Sequence, residues 1–167
     1  MQNQNSLKAV MPLGVPWHVS ALKAQDDAHR HAQELQQDDQ FAAMRNALRY
    51  SGGLARVHEV AAHIKKHRGD DVSPLAGWLL HRQILSFEWR SKLWIPMFQF
   101  NPAGMTLRAG LGAVLSELTA ICDNWEIATW FAEPNAWLAD CAPADVLAAA
   151  PTQVHHAARA ERFVQAG

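Results

Sequence analysis

The sequence predicts a mostly α-helical protein: a small helical bundle with a helix-turn-helix-like part, a short β-hairpin and a C-terminal helical domain. Three observations lead there. Apolar residues recur at helical spacing in several separate segments. Serine, aspartate, proline and glycine fall where helices start and stop. A single stretch, residues 84–100, is rich in aromatic and β-branched residues on both sides of a short polar break, as a hairpin is.

Residues 1–19 contain Pro12, Gly14 and Pro16 and are expected to form a flexible arm. Ser20 is placed to cap a helix reaching Tyr50, with a break expected near Gln37–Gln40. Ala32, Leu35, Phe41, Met44 and Leu48 supply its apolar side, and Ser51-Gly52-Gly53 ends it. Leu54 to Ile64 predicts a second helix, with Val57, Val60, Ala61 and Ile64 on one face. The polar segment Lys65 to Asp71, with Gly69, reads as the helix end plus a turn. Ser73 then acts as N-cap, and Pro74 takes the first helical position, where its missing N–H costs nothing. Residues 20–100 thus contain a helix-turn-helix pattern followed by a hairpin in the place of a wing. Pro96 should confine the second hairpin strand to an edge or keep it short.

Residues 101–167 form the second expected domain. Asn101-Pro102-Ala103-Gly104 is a turn, and Leu107, Leu111, Val114, Leu115 and Leu118 make a helical apolar face. Gly110 and Gly112 are expected to permit close helix packing. Asp123-Asn124 can cap a helix over Trp125–Phe131, which Glu133-Pro134-Asn135 breaks. Ala142-Pro143-Ala144-Asp145 opens another, and Pro151 separates it from a last helix, Thr152 to about Val164.

Composition narrows the function. At 49% hydrophobic residues the chain can build a core. The longest uncharged run, Leu93 to Leu107, is too short and too interrupted to span a bilayer. With no secretory signal pattern at the start, a cytoplasmic location is expected. Cys122 and Cys141 form no CxxC pair and are expected to be reduced. The net charge of −1 conceals a gradient: residues 45–92 hold nine Lys/Arg against four Asp/Glu, whereas residues 101–167 hold three against seven. Halves of opposite sign suit surfaces with different partners.

Catalytic patterns are absent. No GxSxG, GxxxxGK[ST] or GxGxxG with a following acidic partner occurs. His63 and His67 share a helix face, yet no HExxH pattern or nearby cysteine completes a zinc site. No enzyme, metal or cofactor is expected. Seven tryptophans are an unusual supply of large amphipathic rings. Most should be core, with Trp137, beside the Pro134-Asn135 turn, the first candidate for a contact surface.

For DNA, the candidate phosphate grips are Lys65, Lys66 and Arg68 at the helix end and turn, and Arg90 and Lys92 at the hairpin tip. Ser73, His81 and Arg82 could reach base edges. Pro74-Leu75-Ala76-Gly77 is apolar where recognition helices usually read bases, so a helix-turn-helix kept only as scaffold is the alternative.

The segment Trp125-Glu126-Ile127-Ala128-Thr129-Trp130-Phe131-Ala132-Glu133-Pro134-Asn135-Ala136-Trp137-Leu138 resembles the toxin-binding domain of Xre/MbcA/ParS-type antitoxins. In that family a tryptophan-bearing helix runs into a proline-asparagine turn and a leucine, then a proline-led helix, here Ala142-Pro143-Ala144-Asp145-Val146-Leu147. Upstream, Pro96-Met97-Phe98-Gln99-Phe100 is similar to the strand that often precedes this domain. The likeness covers about residues 96–167, and residues 45–95 resemble more faintly the accompanying helix-turn-helix part. Where the family commonly has glycine after the leucine, this chain has Ala139-Asp140-Cys141.

The resemblance implies an antitoxin-like homodimer. It would cover a protein toxin, a RES-type NAD-consuming enzyme as first guess, and could bind operator DNA. Carried over by position, the partner contacts are Trp130, Pro134, Asn135, Trp137, Leu138, Arg159, Arg162 and the Gly167 carboxylate. A carboxylate and two arginines on one helix can enter a polar pocket that handles a charged cofactor. Alternatively, the arginines complement the helix dipole. A stand-alone regulator or scaffold without a toxin is the competing function.

Overall fold

The computed structural model describes residues 17–69 and 71–166, with side chains from residue 25 to residue 165 apart from residue 70. Of the arm expected at residues 1–19, residues 1–16 lie outside them, and residues 17–19 are helical instead, as the start of a helix that begins at Trp17. The protein is mostly helical, 61%, and the described residues form seven α-helices and small antiparallel sheets. It divides into two compact units, Met1–Gln40 and Phe41–Gly167.

Helix α1, Trp17–Ala47, runs unbroken through Gln37–Gln40, and Ser20 lies inside it rather than capping it. The expected break fails because Gln37, Asp38, Asp39 and Gln40 carry neither glycine nor proline, and polar side chains alone do not stop a helix. In the first unit every described side chain is exposed except the half-buried Asp38. Local bonds decorate that stretch: Arg30 pairs with Asp27 at 3.5 Å, and a ring nitrogen of His29 meets the Gln25 carbonyl at 2.8 Å.

In the second unit, Phe41, Met44 and Leu48 are the buried side of the helix end. Gly53 closes the terminus by donating to the Leu48 carbonyl at 2.8 Å, with φ at +79°. Strand β1, Leu54–Arg56, comes next, where sequence spacing predicts only helix. Helix α2, Val57–Arg68, and helix α3, Ser73–Leu80, follow. The start of α3 is one residue earlier than expected: Val72 is the N-cap and Ser73 the first helical residue. Strands β2, Phe87–Trp89, and β3, Lys92–Pro96, form the expected hairpin. Its two-residue turn, Arg90-Ser91, has φ of +49° and +55°, the left-handed pair that matches strand twist in tight hairpins.

The three strands pair in the order β1-β3-β2, all antiparallel, with Ala55 opposite Ile95 and Phe87 opposite Trp94. Strand β3 is therefore central, which rules out the edge position, one of the two outcomes expected from Pro96. The proline is tolerated because it is the last residue of the strand, before a 3₁₀ turn at Met97–Gln99. A small second hairpin, β4 Phe100–Asn101 and β5 Thr106–Leu107, closes around the predicted turn.

Helices α4 (Leu111–Leu118), α5 (Asn124–Ala132), α6 (Pro143–Val146) and α7 (Pro151–Ala166) complete the unit. Asp123 caps α5 as expected: its carboxylate accepts from Glu126 N–H at 2.9 Å, and Glu126 returns the bond to Asp123 N–H at 2.7 Å. The boundary expected at residue 100 does not divide the apolar core. One cluster joins Phe41, Leu48, Phe87 and Phe98 to Leu118, Phe131, Leu147 and Ala158. A second holds Val60, Ile64, Leu75, Ile95 and Phe100. Gln99, fully buried, fastens the loop before β2: its carbonyl accepts from Leu85 N–H at 2.5 Å, and its amide donates to the Leu85 and Pro96 carbonyls at 2.9 and 2.8 Å.

Candidate partner-docking site

The proline-asparagine turn is built around Asn135. Its side-chain oxygen accepts from Trp137 N–H at 2.9 Å, and its carbonyl accepts from Leu138 and Asp140 at 2.9 and 3.0 Å. Its own N–H donates to the Cys141 carbonyl at 3.1 Å. Leu138 points inward, 6% exposed. Asn135 and Leu138, carried over as partner contacts, are buried here and hold the turn's shape. Asn135 spends its side-chain oxygen, its N–H and its carbonyl on the backbone of this turn.

What the turn displays is Trp137, 69% exposed. The other tryptophans with described side chains are half-buried and packed. Trp89 stacks on Phe41 at 3.9 Å, Trp125 meets Phe87 edge-on at 5.4 Å, and Trp130 meets Phe131 edge-on at 5.1 Å. The Trp130 indole nitrogen is enclosed without a partner, so this residue is mainly a core element. Pro134 is exposed beside the turn.

After the 3₁₀ turn Ala136–Leu138, the backbone enters the left-handed region at Ala139 (φ +54°, ψ +46°) and Asp140 (φ +59°). That conformation costs a residue bearing a Cβ about 1–2 kcal/mol. Strain of this kind gathers at binding and catalytic sites. We expect Ala139→Gly to raise unfolding free energy by about 0.5–1 kcal/mol, after the loss of unfolded-state restriction, or roughly 2–3 °C in Tm. Thermal melts of the two chains measure this.

Helix α7 packs against α4 and against the Ala136–Leu138 turn. Val154, Ala157 and Ala158 are its buried face. Toward its end Phe163 and Val164 stand 83% and 71% exposed. Arg159 is exposed, and Arg162 is already engaged, donating to Glu117 of α4 at 2.9 Å. A ring nitrogen of His155 lies 3.4 Å from the other oxygen of Glu117. The Arg162 hydrogen bond, with His155 assisting, holds the Glu117 carboxyl below its usual range. Arg162 therefore ties α7 to α4 in this structure. Gly167 lies outside the described residues. Sequence spacing points neither to the Glu117 partner nor to the exposure of Phe163. Phe163-Val164 is an apolar pair at the helix end, and that pairing is the one signal in the sequence that marks it.

The DNA candidates all lie on the surface. Lys65, Lys66 and Arg68 occupy the last turn of α2, and Arg90 and Lys92 flank the β2–β3 turn, with the Arg90 guanidinium 4.9 Å from the Trp89 ring centre. Ser73 is held by Asp71, whose carboxylate accepts from its N–H at 3.0 Å and from its hydroxyl. These bonds lower the Asp71 pKa. His81 and Arg82 follow α3, Arg82 with φ of +52°. The exposed positions of α3 itself are Ser73, Ala76 and Leu80, a face with one hydroxyl and no amide or guanidinium. Among the described residues no helix is long and apolar enough to cross a membrane. No group of three or more His, Cys, Asp or Glu in that set could hold a metal ion.

Comparison with family models, with curated proteins and with solved structures gives no match to this chain.

Proposed function

We propose that this protein is an antitoxin-like binding protein whose C-terminal helices dock on a protein toxin, with a RES-type NAD-consuming enzyme as the first candidate. The observation that carries the proposal is Trp137. A turn with a buried asparagine clamp holds a large ring in solvent, and its left-handed residues carry the kind of backbone strain that gathers at binding sites. Tryptophans on rigid backbone are the residues that most often dominate binding energy. Pro134 and the exposed end of α7, with Arg159, Phe163 and Val164, extend the candidate surface.

The beginning of the second unit supports a DNA-facing role of limited specificity. The order β1-α2-α3-β2-β3 after α1, with strand order β1-β3-β2, is compatible with the winged helix-turn-helix reading and supports it as part of the proposal. Its basic residues cluster at the end of α2 and beside the tight β2–β3 turn, suited to phosphates. The face of α3 favours the second reading, a winged helix serving as scaffold, because it offers little chemistry for reading bases.

The test is co-expression with a candidate RES-type protein followed by affinity purification. The wild-type chain should retain the partner. Trp137→Ala, folded because the ring is exposed, should weaken retention about 100-fold, the loss of a hot-spot residue. Undiminished retention by the alanine variant would remove Trp137 from the interface.

A further inference from the structure

We infer that a groove along α2 binds a small organic oxyanion carried on an apolar body, with Arg108 as its anchor. The groove measures about 1100 Å³. Glu59, Ala62, His63, Lys66 and His67 of α2 form one wall. Met97, Phe100 and Met105 contribute apolar surface, and Arg108 and Asp145 also line the space. This site is separate from the tryptophan turn, and its occupant is a small molecule.

Arg108 sets the chemistry. It is half-buried, and its Nε donates to the Phe98 carbonyl at 2.7 Å. Nη1 reaches the Asn101 side-chain oxygen at 3.5 Å. Among the described residues no carboxylate lies within ion-pair distance of it. A guanidinium carries five N–H donors in a fixed fork, and here the remaining ones are pre-positioned by a backbone anchor. A planar carboxylate or a phosphate is the ligand that such a fork matches.

The other charges set its orientation. Glu59 has one oxygen occupied by the Arg56 N–H at 2.6 Å, in the first turn of α2. Lys66 lies in the last turn, about 10 Å further along at 1.5 Å per residue. His67 spends Nδ1 on the His63 carbonyl at 2.8 Å, so its Nε2 is the nitrogen left for a ligand. The basic end of the wall is thus Lys66 with the two histidines. The acidic groups, Glu59 and Asp145, disfavour a polyanion and leave room for one oxyanion on an apolar stem.

The probes are phenyl phosphate and phenylacetate, with benzyl alcohol as the uncharged control, titrated into the full chain. The readout is NMR of the methionine methyls and the arginine Nε–H. At least one anion should shift the Met97, Met105 and Arg108 signals saturably at millimolar concentration or below, while benzyl alcohol binds at least tenfold more weakly. Saturation by phenyl phosphate alone would assign a phosphate ligand, and by phenylacetate alone a carboxylate. Arg108→Gln should weaken binding at least tenfold and Lys66→Ala at least threefold. Lys66 is exposed, so its variant decides the matter if the Arg108 variant does not fold. Absence of saturable shifts with both anions, equal binding of the alcohol, or wild-type affinity in Lys66→Ala would overturn the assignment.

Discussion

Replacing Gln99 by methionine should lower the unfolding free energy by about 3–5 kcal/mol, close to the largest effect available from one volume-conserving change. Methionine fills similar space, so the cavity contribution is small. What is lost is the set of three side-chain hydrogen bonds to Leu85 N–H, the Leu85 carbonyl and the Pro96 carbonyl. Leu85, Pro96 and Gln99 are all buried, so water cannot replace the amide. Each orphaned backbone group costs about 1–3 kcal/mol. Gln99→Glu should be worse at neutral pH, because a carboxylate cannot donate to the two carbonyls and adds a buried charge. Chemical denaturation gives the result directly. A methionine variant within 1 kcal/mol of wild type would mean that the loop before β2 does not depend on this clamp.

The second large effect is expected at Gly110. It caps α4 in the left-handed region, φ +79° and ψ −15°. A Cβ there would lie 2.7 Å from the Pro151 Cβ, at the start of α7. Backbone strain and the clash together should cost Gly110→Ala about 2–4 kcal/mol, or roughly 10 °C in Tm. Gly112, two residues on and inside α4, has nothing within 4 Å of an added Cβ. Gly112→Ala should therefore stabilise by about 0.5–1 kcal/mol, the ordinary helix gain. Opposite signs from one methyl at two neighbouring glycines test whether the α4–α7 junction is that close. A tolerated Gly110→Ala would mean that it is not.

How much of this was legible in the sequence depended on how local the cause was. The Asp123–Glu126 capping box and the Ser51-Gly52-Gly53 stop act within a few residues, and their sequence signals sufficed. The hairpin about Arg90-Ser91 was equally visible. Strand β1 was not, because three residues of ordinary helical spacing become a strand only by pairing with β3 some 40 residues away. The central position of β3 is hidden for the same reason: Pro96 signals an edge or a short strand, but its place at the strand's last residue is set by the pairing.

The candidate site shows the same division. Spacing puts Trp137 beside a turn, and the ring is exposed. Spacing does not show which neighbours face inward, so it groups Asn135 and Leu138 with Trp137 although they are buried and shape the turn. Arg162 lies in an identifiable helix, yet its Glu117 partner is 45 residues distant in sequence. The role of Gln99 is hidden too. It stands inside the proline-aromatic-glutamine-aromatic pattern, and only the path of the chain near Leu85 reveals why an amide is needed there.

Hydrogen exchange on the purified complex with a RES-type toxin puts the docking surface to the most direct trial. Amides of residues 135–141 and of the last two turns of α7 should exchange more slowly in the complex than in the free chain, with α2 and α3 unchanged. Protection confined to α2, α3 or the β2–β3 turn, with the Trp137 turn exchanging as it does alone, would contradict docking through the C-terminal helices.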